Sequence, residues 1–76
     1  MKQLLQYILI EILGPDAEIK IEETENAGEI VYNLLIPESD RPLIIGKNGI
    51  NIKAIRTLIS IIAHREQKRV YIKIVD

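Results

Sequence analysis

Cysteine, tryptophan and phenylalanine are all absent from this chain of 76 residues, and its aromatic residues are three tyrosines: Tyr7, Tyr32 and Tyr71. Without cysteine there is no disulfide framework and no thiolate metal site, so the fold depends on packing alone, which suits the reducing cytoplasm. No apolar run approaches the roughly 18 residues of a membrane span. The N-terminus also lacks a signal-peptide cleavage pattern. We therefore predict a cytoplasmic protein with no membrane segment.

Catalytic and metal-ligating residues are scarce as well. His64 is the only histidine, and no nucleophile, base partner or metal cluster can be assembled from the sequence. We therefore predict no enzyme activity and no cofactor. The apolar share of 47% and the charged share of 28% are typical of a globular protein. A chain this short hardly builds two separate cores, so residues 1–76 are expected to form one domain.

The charges are divided sharply between the two halves of the chain, although the formal net charge is only −1. Residues 1–40 contain two basic and nine acidic residues, whereas residues 41–76 contain eight basic and two acidic residues. A basic half can form a positive face that attracts a polyanion such as a nucleic acid. The division is equally expected if the two halves attract each other within the fold, so charge alone leaves both interpretations open.

The first half of the chain has the pattern of a helix followed by a two-stranded hairpin. Apolar residues recur at intervals of three and four over residues 2–13, which predicts an amphipathic helix that a Gly-Pro pair ends. Residues 17–24 and 29–36 alternate as two strands. The polar residues 25–28 between them indicate a tight turn, so we expect an antiparallel hairpin.

The second half predicts two helices and a closing strand. A short helix, capped by Ser39 or Asp40, runs through Ile45, a long helix covers about 50–66, and residues 70–75 alternate as a strand. A strand that follows a long helical crossover favours parallel pairing. The order helix, strand, strand, helix, helix, strand therefore predicts an α+β fold (αββααβ), with a three-stranded mixed sheet and three helices on one face.

Two glycines bracket a short polar loop between the second and third predicted helices. Gly46 suits the positive φ with which a chain leaves a helix, and Gly49 leaves the next helix without a side-chain wall. The N-terminus of that helix offers unpaired N–H groups and about half a unit of positive charge, which suit a phosphate. Lys47 adds a cation, and Asn48 adds an amide. The same spacing also builds an ordinary tight corner between helices.

The surroundings of this loop carry a family resemblance. The segment Ile45-Gly46-Lys47-Asn48-Gly49-Ile50-Asn51-Ile52 resembles the Ile-Gly-x-x-Gly-x-x-Ile core of K homology (KH) domains. The predicted order of elements is similar to that of the bacterial form, type II, in which an extra helix and strand precede the core. The resemblance covers essentially the whole chain and is to the small stand-alone KH RNA-binding proteins of bacteria.

This resemblance implies that the loop clamps about four nucleotides of single-stranded RNA, with the bases in an apolar groove between the helix pair and the sheet. The residues that we expect to bind RNA are Arg41, Ile45, Gly46, Lys47, Asn48, Gly49, Ile50, Lys53 and Arg56. Candidates for the groove floor are Ile44, Ile45, Ile52 and either Leu34 or Leu35. Each of these is also compatible with the core, which is the favoured place for Ile52.

The chain departs from the family pattern at the loop. Relatives often carry a basic residue shortly before the Ile-Gly pair and another directly after the second glycine, where this chain has Leu43 and Ile50. Because phosphate neutralisation dominates affinity, we expect weaker RNA binding than in a fully basic relative. Arg41, Lys53 and Arg56 are the residues that can compensate. The acidic residues around the hairpin turn oppose binding if that turn borders the RNA: Glu22, Glu23, Glu25 and Glu29.

The long helix carries two apolar stripes. The core stripe, at 100° per residue, comprises Ile52, Ile55, Ile59, Ile62 and Ala63. The second stripe, roughly opposite, comprises Ile50, Ala54, Leu58 and Ile61. An exposed apolar patch usually marks a partner surface, so we predict a homodimer, or a heterodimer with a related KH protein, through Ala54, Leu58 and Ile61. In the alternative, Ile50 and Ala54 line the RNA groove while Leu58 and Ile61 pack under the first helix.

The leading functional hypothesis is therefore single-stranded RNA binding, as an RNA chaperone or post-transcriptional regulator. The alternative is a degenerate KH domain that acts mainly as a dimerisation module, which Leu43 and Ile50 suggest. Single-stranded DNA is a third possibility, because nothing in the sequence reads the 2′-hydroxyl.

Overall fold

The computed structural model describes residues 1–75, which form three α-helices and three β-strands. The elements are α1 (Lys2–Leu13), β1 (Lys20–Asn26), β2 (Glu29–Leu35), α2 (Arg41–Ile45), α3 (Ile50–Arg65) and β3 (Arg69–Val75). Short 3-10 turns at Glu38–Asp40 and Lys47–Gly49 precede α2 and α3. The predicted α+β class and the order αββααβ are confirmed.

The three strands form one mixed sheet in the order β1-β2-β3. β1 and β2 pair antiparallel as the predicted hairpin, and β2 and β3 pair parallel, as the helical crossover between them indicates. β1 begins at Lys20 rather than residue 17, because Lys20 pairs with Leu35 at the end of β2 and the preceding residues have no partner strand.

The hairpin turn is tighter than the sequence indicates. The strands extend to Asn26 and from Glu29, so that only Ala27 and Gly28 lie between them. Both have positive φ, 52° and 83° respectively, as a type I′ turn requires. That turn matches the right-handed twist of the two strands.

The helices cover one face of the sheet and bury its apolar residues. The core contains Leu5 and Leu9 of α1, Ile21 of β1, Ile30, Tyr32 and Leu34 of β2, Ile36, Ile44 of α2, Ile52, Ile55, Ile59 and Ala63 of α3, and Ile72 of β3. Tyr32 is 1% exposed. Burial and a hydrogen bond to Glu23 raise the pKa of its hydroxyl above the ordinary value for tyrosine.

The start of α2 differs from the expectation in one respect. Asp40 occupies the N-cap position, but its side chain makes no capping hydrogen bond. The chain instead enters α2 through the 3-10 turn, in which the Asp40 N–H donates to the Pro37 carbonyl at 2.9 Å. The Arg41 Nε donates to the Ile36 carbonyl at 3.2 Å. None of the helices within residues 1–75 has the length and apolar character needed to cross a membrane.

Candidate nucleic-acid interface

The loop between α2 and α3 has an unusual backbone conformation. Gly46, Asn48 and Gly49 have φ values of 77°, 57° and 76°. The first and last are glycines, which adopt positive φ without a steric penalty, and asparagine is among the other residues that tolerate it best. The expected positive φ of Gly46 is therefore confirmed, and Gly49 shares it.

Hydrogen bonds from both helices hold the loop in place. The Gly46 N–H donates to the Pro42 carbonyl at 2.8 Å, and the Gly49 N–H donates to the Gly46 carbonyl at 3.1 Å. The Asn51 side-chain amide donates to the Leu43 carbonyl at 2.9 Å and joins α3 to α2. A Cβ atom at Gly46 would lie 2.7 Å from Asn51 Cγ. Glycine is therefore required at this position both because a side chain would clash with Asn51 and because φ is positive.

Two backbone N–H groups at this corner are left for a ligand. Within residues 1–75, those of Lys47 and Asn48 have no protein acceptor. The Gly49 and Ile50 N–H groups, in contrast, donate to the Gly46 and Lys47 carbonyls. The sequence predicts free donors at the N-terminus of the long helix; the two free N–H groups of Lys47 and Asn48 lie in the 3-10 turn just before that helix. Successive free N–H groups in such a turn form an anion-binding concavity.

Charged and apolar side chains surround these donors. Lys47, Asn48, Ile50 and Lys53 line one concave surface of about 360 Å³. The side chains of Lys47, Asn48 and Lys53 are exposed, and Ile50 is 64% exposed. The N-terminal end of α3 adds its partial positive charge beside the same surface. Four of the predicted RNA-binding residues thus meet at one site, next to the two glycines.

The two arginines on the predicted list lie elsewhere. Arg41, half-buried at the start of α2, lines a separate cleft of about 430 Å³ at the end of the sheet. Arg56 donates from Nε and Nη2 to the Ile72 carbonyl of β3 at 3.3 and 3.1 Å. It lines a third cleft, of about 320 Å³, between α3 and the outer edge of β3, together with Ser60 and Lys73.

Most candidates for the groove floor belong to the core. Ile44 and Leu34 are 0% exposed, and Ile52 is 6% exposed, so these side chains are closed to a ligand. Leu35 is half-buried beside Arg41. Ile45 alone remains open, at 38% exposure. An accessible cleft between helix and sheet runs along α3 and β3, where Arg56 lies.

Comparison with known proteins assigns the family. A family model described as "KhpA/KhpB, KH domain" matches residues 2–74. The chain belongs to this family. The resemblance to KH domains that the loop segment indicates is confirmed, and so is the type II order of elements. No solved structure matches the chain.

Relatives named RNA-binding protein KhpA match along nearly their whole length. The "RNA-binding protein KhpA" of Chlamydia pneumoniae is 38% identical over 76 residues, which cover 100% of this chain and 97% of the relative. The protein of the same name from Oceanobacillus iheyensis is 36% identical over 74 residues, covering 97% and 99% of the two chains. That from Thermotoga maritima is 35% identical over 75 residues, covering 99% of each.

The second apolar stripe of α3 is exposed, as the helical pattern predicts. Leu58 and Ile61 are 44% and 57% exposed, and Ala54 is exposed as well. Ala54 and Leu58 form a cleft of about 260 Å³ with Ile8 and Ile12 of α1 and two residues of α3. The alternative in which Ile61 packs under the first helix is therefore wrong, and Leu58 borders α1 without being covered by it.

Some of the opposite charges in the two halves of the chain pair with each other within the fold. Lys68 Nζ lies 3.1 Å from Glu25 Oε2 of the hairpin, and this partner raises the pKa of Lys68. This ion pair joins the acidic and the basic half. Most of the basic half is exposed nevertheless, including Lys47, Lys53 and Lys73. No group of three or more acidic or histidine side chains within residues 1–75 is arranged to hold a metal ion.

Proposed function

We propose that this protein binds single-stranded RNA through the loop of residues 46–49. The observation that carries the proposal is that the N–H groups of the exposed residues Lys47 and Asn48 have no acceptor within residues 1–75. The relatives named RNA-binding protein KhpA match 97–100% of the chain, which supports RNA as the ligand. We propose further that the protein acts in the cytoplasm as an RNA chaperone or post-transcriptional regulator, and not as an enzyme.

The chemistry of the loop suits a sugar–phosphate backbone. The two N–H groups donate to a phosphate oxygen, and the flexible lysine side chains at 47 and 53 neutralise the charge of neighbouring phosphates. Because the glycines carry no side chains, the RNA backbone approaches the loop closely. None of these contacts reads a base, so this part of the site is tolerant of sequence.

The bases are placed by apolar contacts and by the cleft between α3 and β3. Ile45 and Ile50 are exposed beside the loop, and Arg56 lies about 10 Å farther along α3, at 1.5 Å per residue from Gly49.

If Lys47, Lys53 and Arg56 each contact one phosphate, the logarithm of the binding constant should fall linearly with the logarithm of the salt concentration, with a slope of about −2. Arg41, in its separate cleft, contributes only to a longer RNA.

The test is a double substitution that reverses the charge of the loop. We expect Lys47→Asp with Asn48→Asp to abolish filter binding of a short single-stranded RNA. The matched control is Lys2→Asp with Gln3→Asp, which makes the same change of charge at exposed positions of α1 and should leave binding unchanged. If both double variants bind like the parent, the protein is a degenerate KH domain without a working loop. A single-stranded DNA competitor in the same assay measures the preference for RNA.

We also propose that the exposed stripe of α3 forms a homodimer, or a heterodimer with a related KH protein. The supporting observation is that Ile61 and Leu58 lie open beside the apolar cleft against α1. Leu58→Asp should halve the mass measured by light scattering. The adjacent exposed Thr57→Asp, which adds the same charge outside the stripe, should not. Equal masses for the parent and Leu58→Asp, both folded, contradict this interface.

A further inference from the structure

The face of the sheet turned away from the helices presents an aromatic ring between two cations. The pairing register places Arg69, Tyr71 and Lys73 of β3 on this face, beside Glu29, Val31 and Asn33 of β2. The alternate residues Val70 and Ile72 point towards the helices and are half-buried or buried. Tyr71 is 44% exposed, and Arg69 and Lys73 are exposed on either side of it.

This arrangement has the chemistry of a site for single-stranded nucleic acid. Such sites combine an aromatic ring on which a base stacks with cations that follow the backbone, and they need no particular base. Lys73 is the better placed cation, because its neighbour across the strands is the neutral Asn33, whereas Arg69 faces Glu29. On β1 the same face carries Glu22 opposite Asn33 and Lys20 opposite Leu35, so the aromatic ring flanked by cations lies on β3.

Arg56 connects this face with the loop. Its two hydrogen bonds to the Ile72 carbonyl fix the guanidinium at the open edge of β3 and leave three of its five N–H donors for a phosphate. The cleft that it lines also includes Tyr71 and Lys73. A fixed cation therefore lies between the loop, about 10 Å away along α3, and the outer face of the sheet.

We infer that RNA extending beyond the stretch held by the loop crosses the edge of β3 and stacks a base on Tyr71, with Lys73 at an adjacent phosphate. This inference rests on the proposed RNA binding through the loop. It assigns the outer face of the sheet to the same ligand, and it makes affinity depend on RNA length.

Two randomised single-stranded RNAs, of five and twelve nucleotides, test the inference. Binding of the twelve-nucleotide RNA is measured by fluorescence anisotropy, and the weak binding of the five-nucleotide RNA by NMR titration. Tyr71→Ala and Tyr71→Thr should weaken binding of the longer RNA at least about fivefold, the loss of one stacking contact, and leave the shorter RNA unaffected. Tyr71→Phe, which keeps the ring, should bind like the parent. Tyr7→Ala, at the 61% exposed tyrosine of α1, is the control.

The threonine variant keeps a β-branched residue in the strand, so it guards against a loss of folding in the alanine variant. If both Tyr71 variants bind the twelve-nucleotide RNA as tightly as the parent does, the inference is overturned and the face is left to another partner. Equal weakening of binding for the five- and the twelve-nucleotide RNA overturns it as well. Failure of the parent protein to bind either RNA contradicts the proposed function itself. Loss of binding in the Lys47→Asp, Asn48→Asp variant alone supports the loop and rejects the Tyr71 contact.

Discussion

The side-chain amide of Asn51 donates a hydrogen bond of 2.9 Å to the backbone carbonyl of Leu43, and so it fastens the first turn of α3 to α2 across the loop. That carbonyl is one of the last four of α2, which have no partner within the helix. The same side chain packs where a Cβ atom of residue 46 would stand. Asn51 therefore fixes the shape of the loop without belonging to it.

Replacing Asn51 by serine should lower the free energy of unfolding by about 1 kcal/mol, the ordinary worth of one hydrogen bond. Serine has a similar helix propensity but is too short to reach the Leu43 carbonyl, so the change isolates this contact. Urea denaturation measures the difference. Asn33→Ser, at a half-buried position of β2 where no side-chain hydrogen bond is seen within residues 1–75, is the control. An equal effect at both positions would show that the Asn51 contact contributes nothing.

Gly46→Ala should destabilise the protein more than Gly14→Ala. The two glycines have similar backbone angles, φ 77° with ψ 174° and φ 101° with ψ 162°, in a region that costs other residues about 1–3 kcal/mol. A Cβ atom at Gly14 meets nothing within 4 Å, whereas one at Gly46 meets Asn51 Cγ at 2.7 Å. Thermal unfolding of both variants checks the order, and an equal loss would mean that Asn51 moves aside freely.

Ala27→Asn should stabilise the hairpin by about 0.5–1 kcal/mol, because Asn-Gly is the preferred pair in a type I′ turn. Ala27 has a φ of 52°, which alanine adopts only at a cost that asparagine partly avoids. The melting temperature measures the gain. Ala17→Asn, at a position outside helices and strands and without positive φ, should give no increase. A lower melting temperature for Ala27→Asn would contradict the turn assignment.

The stability of the protein should fall at alkaline pH because of Tyr32. Burial, followed by the hydrogen bond to Glu23, raises the pKa of its hydroxyl in the folded state. The unfolded chain therefore loses this proton first, above about pH 10, and the stabilisation is lost by about 1.4 kcal/mol per pH unit as pH rises towards the folded-state pKa. Tyr32→Phe should flatten this dependence. If the free energy of unfolding in urea depends on pH in the same way for the parent and for Tyr32→Phe, Tyr32 is not the cause of the alkaline loss of stability.

The elements of the fold could be predicted because each has a local pattern. The spacing of leucine and isoleucine marks α1 within residues 2–13, and alternation marks the strands. Strand ends were less predictable, since β1 begins where Leu35 supplies a partner for Lys20. The capping role of Asp40 was also wrong, because Ser39 and Asp40 form a 3-10 turn instead.

The site could be predicted where its chemistry lies in consecutive residues, as in the loop from Gly46 to Gly49. Contacts between distant residues were not evident. Nothing local distinguishes the buried Ile44 from the open Ile45, or pairs Arg56 with the Ile72 carbonyl. Asn51 was missed as well, and its only signal in the sequence is a polar residue two positions after the second glycine.

The most direct test of RNA binding through the loop is a titration of the isotope-labelled protein with a short single-stranded RNA, followed by the backbone amide signals in ¹H–¹⁵N NMR spectra. We expect the amide signals of Lys47 and Asn48 to shift most, with smaller changes at Lys53. If the protein binds the RNA while these two amide signals stay in place, the loop is not the site at which the RNA backbone is held.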